Sequence, residues 1–537
     1  MGGILSLVLA VSLLVRGWGI AWVPPELFGD ELDVGYQAYS LLHTGRDLYG
    51  QITPVYLHSL SEWRLPLIVY QTVPAVRLFG LSELGVRLPE VVMGILAPLI
   101  LFGLVYRTLG DRRLAGVSAL VLAILPWHVI YSRMAAFGVV SLLNFLMLGV
   151  LLFQRRRYLL AGVFFALCLY TYSTSVIFVP LLLALLFLAR PGRSAITTLV
   201  VLAVSAAPLV IFGVSGQGTL RFSQISVFAS PEVLENVTSF RKDHPGLLGR
   251  VLSNRPIEYA KLVSTNYLSA FSPEFLFIRG DPSHRHSIQI TGGLYSVLAP
   301  FVVWGFLVLW RRDNRFWLWW LALAPLPSAL TQGGGYHATR LFLMVAPLAV
   351  LGSTGVLAAW KRVSAWPVRL GALGLFAFVL FMTGLYYWVD YPKSSWVWWQ
   401  YGYKDSLTQA VRLAPDYSRV FINNTYEPSL TRFLFWSAYP PAKFHTDFRL
   451  DQEIQEIMPS YNGFSLGSKY FFGQFTASAQ KEGISRSFLP GALYLISQRD
   501  DVGGDWDWRT SPPAGVKVLH TTVTPAGAPL FYLVTKS

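Results

Sequence analysis

The chain has 537 residues, of which 53% are hydrophobic and only 13% charged, and its mean hydropathy is +0.47. Soluble globular proteins carry about 25% charged residues, so this composition excludes that class and indicates a polytopic membrane protein. The net charge of +14 could suggest nucleic-acid binding. The basic residues, however, lie in short clusters between apolar runs, as topology signals do, which argues against a nucleic-acid partner.

Apolar runs recur from the N-terminus to about residue 388, and a membrane-spanning helix needs about 20 such residues. The pattern predicts eleven spans, several of them short and tilted or partly surrounded by protein. The predicted spans are 4–23, 86–106, 114–131, 139–153, 158–170, 176–188, 195–213, 292–310, 316–330, 341–359 and 370–388.

One further apolar stretch, 65–81, contains two prolines and Arg77, and the distribution of charge decides its placement. If it does not cross, the arginine-rich turns share one side of the membrane, and the short turns on the other side carry only Arg133 and Arg340. The positive-inside rule favours this arrangement. We therefore predict an interfacial helix on the outer face. The arginine-rich turns contain Arg107, Arg112, Arg113, Arg155–Arg157, Arg190, Arg193, Arg311, Arg312, Arg315, Arg362 and Arg369.

This topology places a first loop (24–85), a mid-chain loop (214–291) and the tail (390–537) outside the cytoplasm. The tail has alternating stretches at 418–423, 493–497 and 530–535, and the last is predicted to pair with 516–523. The predicted architecture is an all-α polytopic membrane module over 1–389. A C-terminal extracytoplasmic α/β domain follows it over 390–537.

The acidic pair Asp30-Glu31 lies just after the first apolar run. Charge is costly near lipid, so such a pair is a candidate for chemistry on a membrane-borne substrate. Two alternatives remain open at this point. Asp30 could simply cap a helix that starts near Leu32, and Glu31 could only orient its neighbours. Asp33 fits an ordinary acid in the first helical turn.

Several motifs resemble glycosyltransferases that use lipid-phosphate sugars and share the GT-C fold. This group includes the protein O-mannosyltransferases and the aminoarabinose lipid A transferases. The similar segments, spread mainly over 4–340, are Gly29-Asp30-Glu31, Tyr36-Gln37-Ala38-Tyr39, His43-Thr44-Gly45-Arg46-Asp47, Trp63-Arg64-Leu65-Pro66-Leu67, residues 79–89, residues 280–286, Tyr336-His337-Ala338-Thr339-Arg340 and residues 399–404.

The resemblance implies a hexosyl- or pentosyltransferase that moves a sugar from a polyprenyl-phosphate donor to a protein, lipid or glycan acceptor outside the cell membrane. It also implies that Asp30 acts as general base, and membrane lipids would be further partners. Cations should neutralise the departing phosphate, and arginine binds phosphate oxygens bidentately. The candidates are Arg64, His284, Arg285, His337 and Arg340. Arg340 could instead anchor a span at the interface.

His284, His286 and His337 could also be considered as metal ligands, but no cysteine or acidic cluster accompanies them. Some relatives in the wider fold hold a divalent cation through an acidic motif after the third span, and here the turn 131–137 contains no acid. We therefore assign no metal ligand, although a divalent cation stays open. A transporter or lipid flippase is the alternative function. It is disfavoured because the predicted spans contain almost no acids.

The charge pattern makes a direct prediction about topology. With eleven spans and a cytoplasmic N-terminus, a reporter fused after Ser537 should be active only outside the cytoplasm. A pair of fusions, one of an enzyme that works only in the cytoplasm and one of an enzyme that works only outside it, measures this directly. Activity of the cytoplasmic reporter alone would contradict the predicted topology.

Overall fold

The computed structural model describes residues 2–60, 63–189, 192, 195–214, 225–450, 452–500 and 507–537. Arg190, Arg193 and part of the predicted mid-chain loop lie outside these ranges. The chain forms two compact units. The first contains Met1–Ile20, Glu62–Ile68 and Arg87–Trp388, and the second contains Ala21–Ser61, Val69–Val86 and Val389–Ser537. The second unit thus combines two segments of the predicted first loop with the tail. The division between residues 389 and 390 stays a prediction.

The described residues are mostly helical. The helices up to residue 214 are α1 (Gly2–Gly17), α2 (Gly29–Thr44), α3 (Leu67–Phe79), α4 (Glu83–Leu109), α5 (Arg112–Ile124), α6 (Pro126–Tyr131), α7 (Val139–Gln154), α8 (Tyr158–Leu169), α9 (Ser175–Ala189) and α10 (Ile196–Val214). The later helices are α11 (Pro231–Asp243), α12 (Leu247–Leu252), α13 (Arg255–Ser269), α14 (Ala299–Trp310), α15 (Phe316–Leu323), α16 (Leu326–Ala329), α17 (Val345–Arg362), α18 (Trp366–Leu385), α19 (Tyr391–Ser395), α20 (Tyr403–Leu413), α21 (Leu430–Trp436), α22 (Pro441–Asp447) and α23 (Ala477–Glu482).

Among the described residues, four helical stretches are long and apolar enough to cross a membrane, which makes the chain a multi-pass membrane protein. They are Glu83–Leu109, Ile196–Gly213, Phe342–Arg362 and Trp366–Ser395. A helix occupies each predicted span, but the count of eleven is not confirmed. Six of the apolar helices have only 10–17 residues, whereas a span needs about 20. The stretch 65–81 forms α3, and its orientation in the membrane stays a prediction.

Two predicted spans are shorter in the structure for identifiable reasons. The span 114–131 divides into α5 and α6 because Leu125, which precedes Pro126, is extended with ψ 125°, as proline disfavours helical backbone before it. Helix α1 ends at Gly17, and Gly19 then adopts φ 67°. The carbonyls left without helical partners at this end are satisfied by Arg133. Its Nη1 donates to the carbonyls of Val15 (3.0 Å) and Arg16 (2.8 Å).

Helices α14 and α17 of the first unit approach closely at two glycines. A Cβ on Gly305 would lie 1.9 Å from the carbonyl oxygen of Leu351, and a Cβ on Gly355 would lie 1.9 Å from that of Phe301. Contacts between helices in membranes depend on such small residues, since they let the backbones meet. Glycine is therefore required at both positions.

The second unit contains a seven-stranded mixed sheet. The strands of the chain are β1 (Leu57–His58), β2 (Trp63–Arg64), β3 (Arg419–Asn423), β4 (Gln455–Met458), β5 (Tyr461–Leu466), β6 (Tyr470–Phe475), β7 (Ala492–Ser497), β8 (Val516–Val523) and β9 (Pro529–Lys536). The sheet order is β4-β5-β6-β3-β7-β9-β8. Strand β3 pairs in parallel with β6 and β7, while the other pairs are antiparallel. The predicted C-terminal sheet domain and its β8–β9 pairing are confirmed.

Aromatic side chains form much of the core on this sheet. The ring of Tyr494 stacks on Phe421 at 4.9 Å and on Phe488 at 4.2 Å between centroids. Helix α2 from the first loop packs against α21 and α22 of the tail. The hydroxyl of Tyr36 donates to the carbonyl of Tyr439 at 2.7 Å. These contacts fix the position of α2, which carries the acidic pair, relative to the tail.

Gly355→Ala is expected to destabilise the protein by about 1–3 kcal/mol, because the added methyl group pushes α14 and α17 apart. Gly371→Ala on α18 is the matched control, since a Cβ there meets nothing within 4 Å. Thermal unfolding of the detergent-solubilised protein measures both. Equal unfolding temperatures for the two variants would show that the close approach is not required.

Candidate functional site

The acidic pair lies in the first turn of α2. The helix begins at Gly29 with Phe28 as N-cap, and no side chain at the N-cap position accepts a hydrogen bond. Asp30 is therefore not the capping residue, and that alternative is excluded. Asp30 is half-buried and Glu31 is fully buried, as is Asp33. Negative charge in the first turn is favourable because the unpaired N–H groups of a helix make its N-terminus positive.

The tail fixes the residues directly before the acidic pair. The ring of Phe28 contacts that of Trp399 edge-on at 5.5 Å between centroids. The backbone N–H of Gly29 donates to Oε1 of Gln400 at 2.8 Å. The first N–H groups of a helix have no partner within the helix, so the Gln400 side chain caps α2 in place of Phe28. The orientation of the first turn thus depends on a residue of the tail.

Arg432, on α21, is the second tail residue at this position. Its Nη2 donates to the same Oε1 of Gln400, and its Nη1 donates to the carbonyl of Pro428. The guanidinium lies over the ring of Tyr403, 4.8 Å from the centroid. Burial lowers the pKa of Arg432, while Tyr403 and the charges of Glu427, Asp30 and Glu26 act in the opposite direction. A buried cation therefore lies near Asp30.

A second carboxylate of the first loop, Glu26, also binds the tail. Its two oxygens accept from the backbone N–H groups of Gly402 at 2.9 Å and Lys404 at 3.2 Å. The Lys404 ammonium pairs with Glu83 at 2.5 Å. Burial raises the pKa of Glu26 to about 7, although the two N–H groups and Lys404 oppose the shift. These contacts stabilise the segment before α2.

The motif His43-Thr44-Gly45-Arg46-Asp47 builds the turn after α2. Gly45 ends the helix with φ 67°, and its N–H donates to the carbonyl of Leu41. Oδ1 of Asp47 accepts from the N–H groups of Tyr49 (2.9 Å) and Gln51 (2.8 Å). Burial raises the pKa of Asp47, against the effect of these two hydrogen bonds. These contacts give the motif a structural role.

The first unit contains the other predicted residues, and it brings most of them together around the turn 131–137. Oδ2 of Asp281 accepts from the N–H of Ala338 at 2.8 Å, which joins the segments 280–286 and 336–340. The hydroxyl of Tyr131 lies 3.0 Å from Nδ1 of His286 and 2.7 Å from Oγ1 of Thr339. We name this group of residues, with Arg64 and Arg340, the outer-loop cluster.

Each candidate phosphate ligand takes a defined position in or beside this cluster. Nη1 of Arg64 donates to the carbonyl of Ala136 at 2.8 Å. Arg285 and His284 lie on the loop that Asp281 joins to Ala338, and the ring of His337 lies 6.0 Å from that of His286. Nη1 of Arg340 donates to Oγ1 of Thr331 at 2.7 Å. The phosphate role of these side chains stays a prediction.

Burial changes the pKa of two histidines in the outer-loop cluster. Burial lowers the pKa of His284. Burial lowers the pKa of His286 to about 3, and the positive charges of His337 and Arg285 add to this effect. Both imidazoles are thus neutral near pH 7 and can donate or accept a hydrogen bond without adding charge. Within the described ranges, no group of three or more His, Cys, Asp and Glu side chains could hold a metal ion.

Four residues of these sites were not selected from the sequence. Asp281 and Tyr131 lie in segments that the sequence analysis quoted, but an acid inside a loop motif gives no sign that it will bind a distant backbone. Gln400 lies in the quoted segment 399–404, but its role could not be found because its contact with Gly29 spans 371 residues. Arg432 joins the site through Gln400, 32 residues away.

Known proteins resemble this chain in sequence or in fold. A sequence model of the dolichyl-phosphate-mannose-protein mannosyltransferase family matches residues 66–215, and a comparison with curated protein sequences gave no match. The crystal structure of ArnT from Cupriavidus metallidurans bound to undecaprenyl phosphate aligns with 99% of this chain and 98% of its own. The TM-score is 0.50 and the identity 12%.

Two further structures are less similar. The oligosaccharyltransferase of Archaeoglobus fulgidus aligns with 81% of this chain at 14% identity and a TM-score of 0.43. This chain spans 63% of the length of that protein. The mycobacterial arabinofuranosyltransferase AftD aligns over 99% of this chain and 40% of its own, at 14% identity and a TM-score of 0.36. The alignment with ArnT, which extends over almost all of both chains, establishes the shared fold.

Glu26→Gln is expected to change how stability depends on pH. Burial raises the pKa of Glu26 from 4.5 to about 7, so the protonated form favours the fold. This contribution is complete below the unfolded value and is lost as the pH rises through about 7. The Glu26→Gln variant has no carboxyl group to ionise at this position, so it does not lose this stability. The difference between its unfolding temperature and that of wild type should therefore rise from about pH 5 to about pH 8.

Thermal unfolding at several pH values measures this difference, and the exposed Glu482→Gln is the control. A constant difference between wild type and Glu26→Gln across the range would contradict the expectation.

Proposed function

We propose that this chain, which has the fold of the GT-C glycosyltransferases, transfers a sugar from a polyprenyl-phosphate-linked donor to an acceptor on the extracytoplasmic side. ArnT, which shares the fold, is described bound to undecaprenyl phosphate. The acceptor is a hydroxyl group of a protein, lipid or glycan. The second unit, with the tail, lies outside the cytoplasm in this proposal.

The position of Asp30 is the observation that carries the proposal. A hydroxyl is a poor nucleophile near pH 7 and must lose its proton as it attacks. In the proposed reaction, the acceptor oxygen attacks the anomeric carbon, the bond from that carbon to the phosphate oxygen breaks, and the polyprenyl phosphate leaves with the electron pair. The half-buried Asp30 carboxylate takes the proton. A positioned base contributes about 10²–10⁴-fold to the rate.

The outer-loop cluster supplies the charges that the leaving phosphate requires. Arg64, Arg285 and Arg340 have planar guanidinium groups whose N–H donors match phosphate oxygens. His284 is neutral because burial lowers its pKa, so its role would be a hydrogen bond. We assign charge neutralisation to the arginines and orientation to His284 and His337. Glu31 is fully buried, which suits an orienting role beside Asp30 better than proton transfer.

Asp30→Asn is expected to lower turnover by about 10²-fold or more, since asparagine keeps the size of the side chain but cannot take the proton. The measurement uses purified protein in liposomes with a panel of polyprenyl-phosphate-linked hexoses and pentoses and with protein, lipid and glycan hydroxyl acceptors, and follows the release of free polyprenyl phosphate. Retention of labelled undecaprenyl phosphate reports binding of the lipid phosphate, which should persist in the variant.

Asp416→Asn, an exposed acid of the same unit, is the control and should transfer at the wild-type rate. Near-normal turnover in Asp30→Asn would remove the base from the mechanism. If the wild-type protein releases polyprenyl phosphate from no donor in the panel, the proposed function is wrong.

A further inference from the structure

Gln400 has a backbone conformation that its own residue type does not favour. Its φ is 53°, in the left-handed region where side chains with a Cβ are strained and glycine or asparagine is preferred. Such conformations persist where surrounding contacts fix them, and they are frequent at functional sites. Here the fixing contacts are made by the side chain, since Oε1 accepts from both Gly29 and Arg432.

Arg432 is the cation that completes this arrangement. Only 4% of its surface is exposed, and burying a charge is costly unless it is paired and hydrogen-bonded. Its N–H groups donate to the carbonyl of Pro428 and to Oε1 of Gln400. Glu427 lies 3.8 Å away as a partly exposed counter-ion. A Cβ on Gly29 would lie 3.5 Å from Nη2 of Arg432. The guanidinium therefore lies against the backbone that carries Asp30.

We propose that Gln400 and Arg432 are positioning residues for Asp30, so that the tail completes the catalytic site formed by the first loop. The catalytic part of this inference rests on the proposed function. Gln400 caps the first turn of α2, Arg432 fixes the Gln400 oxygen, and together they hold the Asp30 carboxylate in one orientation toward the acceptor. A displacement of about 1 Å in such a group can cost up to about 10²-fold in rate.

Two measurements on the full chain test the inference, and one of them does not require activity. Hydrogen–deuterium exchange of the peptide that contains Gly29 reports the hydrogen bond to Gln400. Gln400→Ala and Arg432→Ala should exchange this amide about 5- to 10-fold faster than wild type. Arg499→Ala is the matched control, because the Arg499 guanidinium also lies over a tyrosine ring, 4.9 Å from the centroid of Tyr426. It should leave exchange at Gly29 unchanged.

The second measurement separates kcat from KM. Loss of orientation should lower kcat about 10-fold or more in Gln400→Ala and Arg432→Ala, with little change in the KM for the polyprenyl-phosphate sugar. Arg432→Lys keeps the positive charge and one donor, so it should recover part of kcat. Arg499→Ala should have the wild-type kcat, and thermal unfolding identifies any variant that is merely unfolded.

The outcomes separate this inference from the proposed function. Unchanged exchange at Gly29 in both folded variants overturns the positioning role, whatever the activity. Faster exchange with wild-type kcat overturns the catalytic part, while Asp30→Asn can still support the proposed function. Faster exchange together with no transfer by the wild-type protein supports the positioning contact and rejects the proposed function. Faster exchange with a lower kcat supports both.

Discussion

The hydrogen bond from the Gly29 N–H to Gln400 is the interaction on which the candidate site depends. The helix that carries Asp30 begins after a phenylalanine, which has no oxygen to accept from the free N–H groups of the first turn. Half-burial of that turn makes an unsatisfied donor costly. The tail provides the acceptor, and Arg432 fixes it. The acceptor that α2 lacks at its own N-cap position is thus supplied by a residue far away in the sequence. This contact makes the first loop and the tail one structural unit.

The segment before α2 also buries a charged side chain. Glu26 and Glu83 are buried, whereas Lys404 keeps its ammonium partly exposed, and Glu26 is satisfied by two backbone N–H groups rather than by a full ion pair. A buried carboxylate left without such donors is costly. Such contacts therefore favour one arrangement of the loop over its alternatives, and a base must stay in one arrangement to be effective.

Much of this could be predicted from the sequence, and the exceptions have physical causes. The alternating stretches at 418–423, 493–497 and 530–535 form β3, β7 and β9, although these strands are buried along almost their whole length and not on one face only. Helix ends were less predictable. The break at Leu125–Pro126 follows from local sterics, whereas two carbonyls at the early end of α1 are bound by Arg133, more than a hundred residues later. The contacts of Gln400 and Arg432 depend on tertiary packing alone, and no local pattern encodes them.

The distance along the chain between Gly29 and Gln400 also sets an order of events during biosynthesis. The two residues are 371 positions apart, and at a synthesis rate of about 5–20 residues per second the acceptor follows its donor by about 20–75 seconds. During that interval the N-terminus of α2 has no cap from Gln400, and Glu26 lacks the backbone donors of residues 402 and 404. The first loop can therefore reach its final form only after Gln400 and Arg432 have been made, so Asp30, the proposed base, takes its position late in the maturation of the protein.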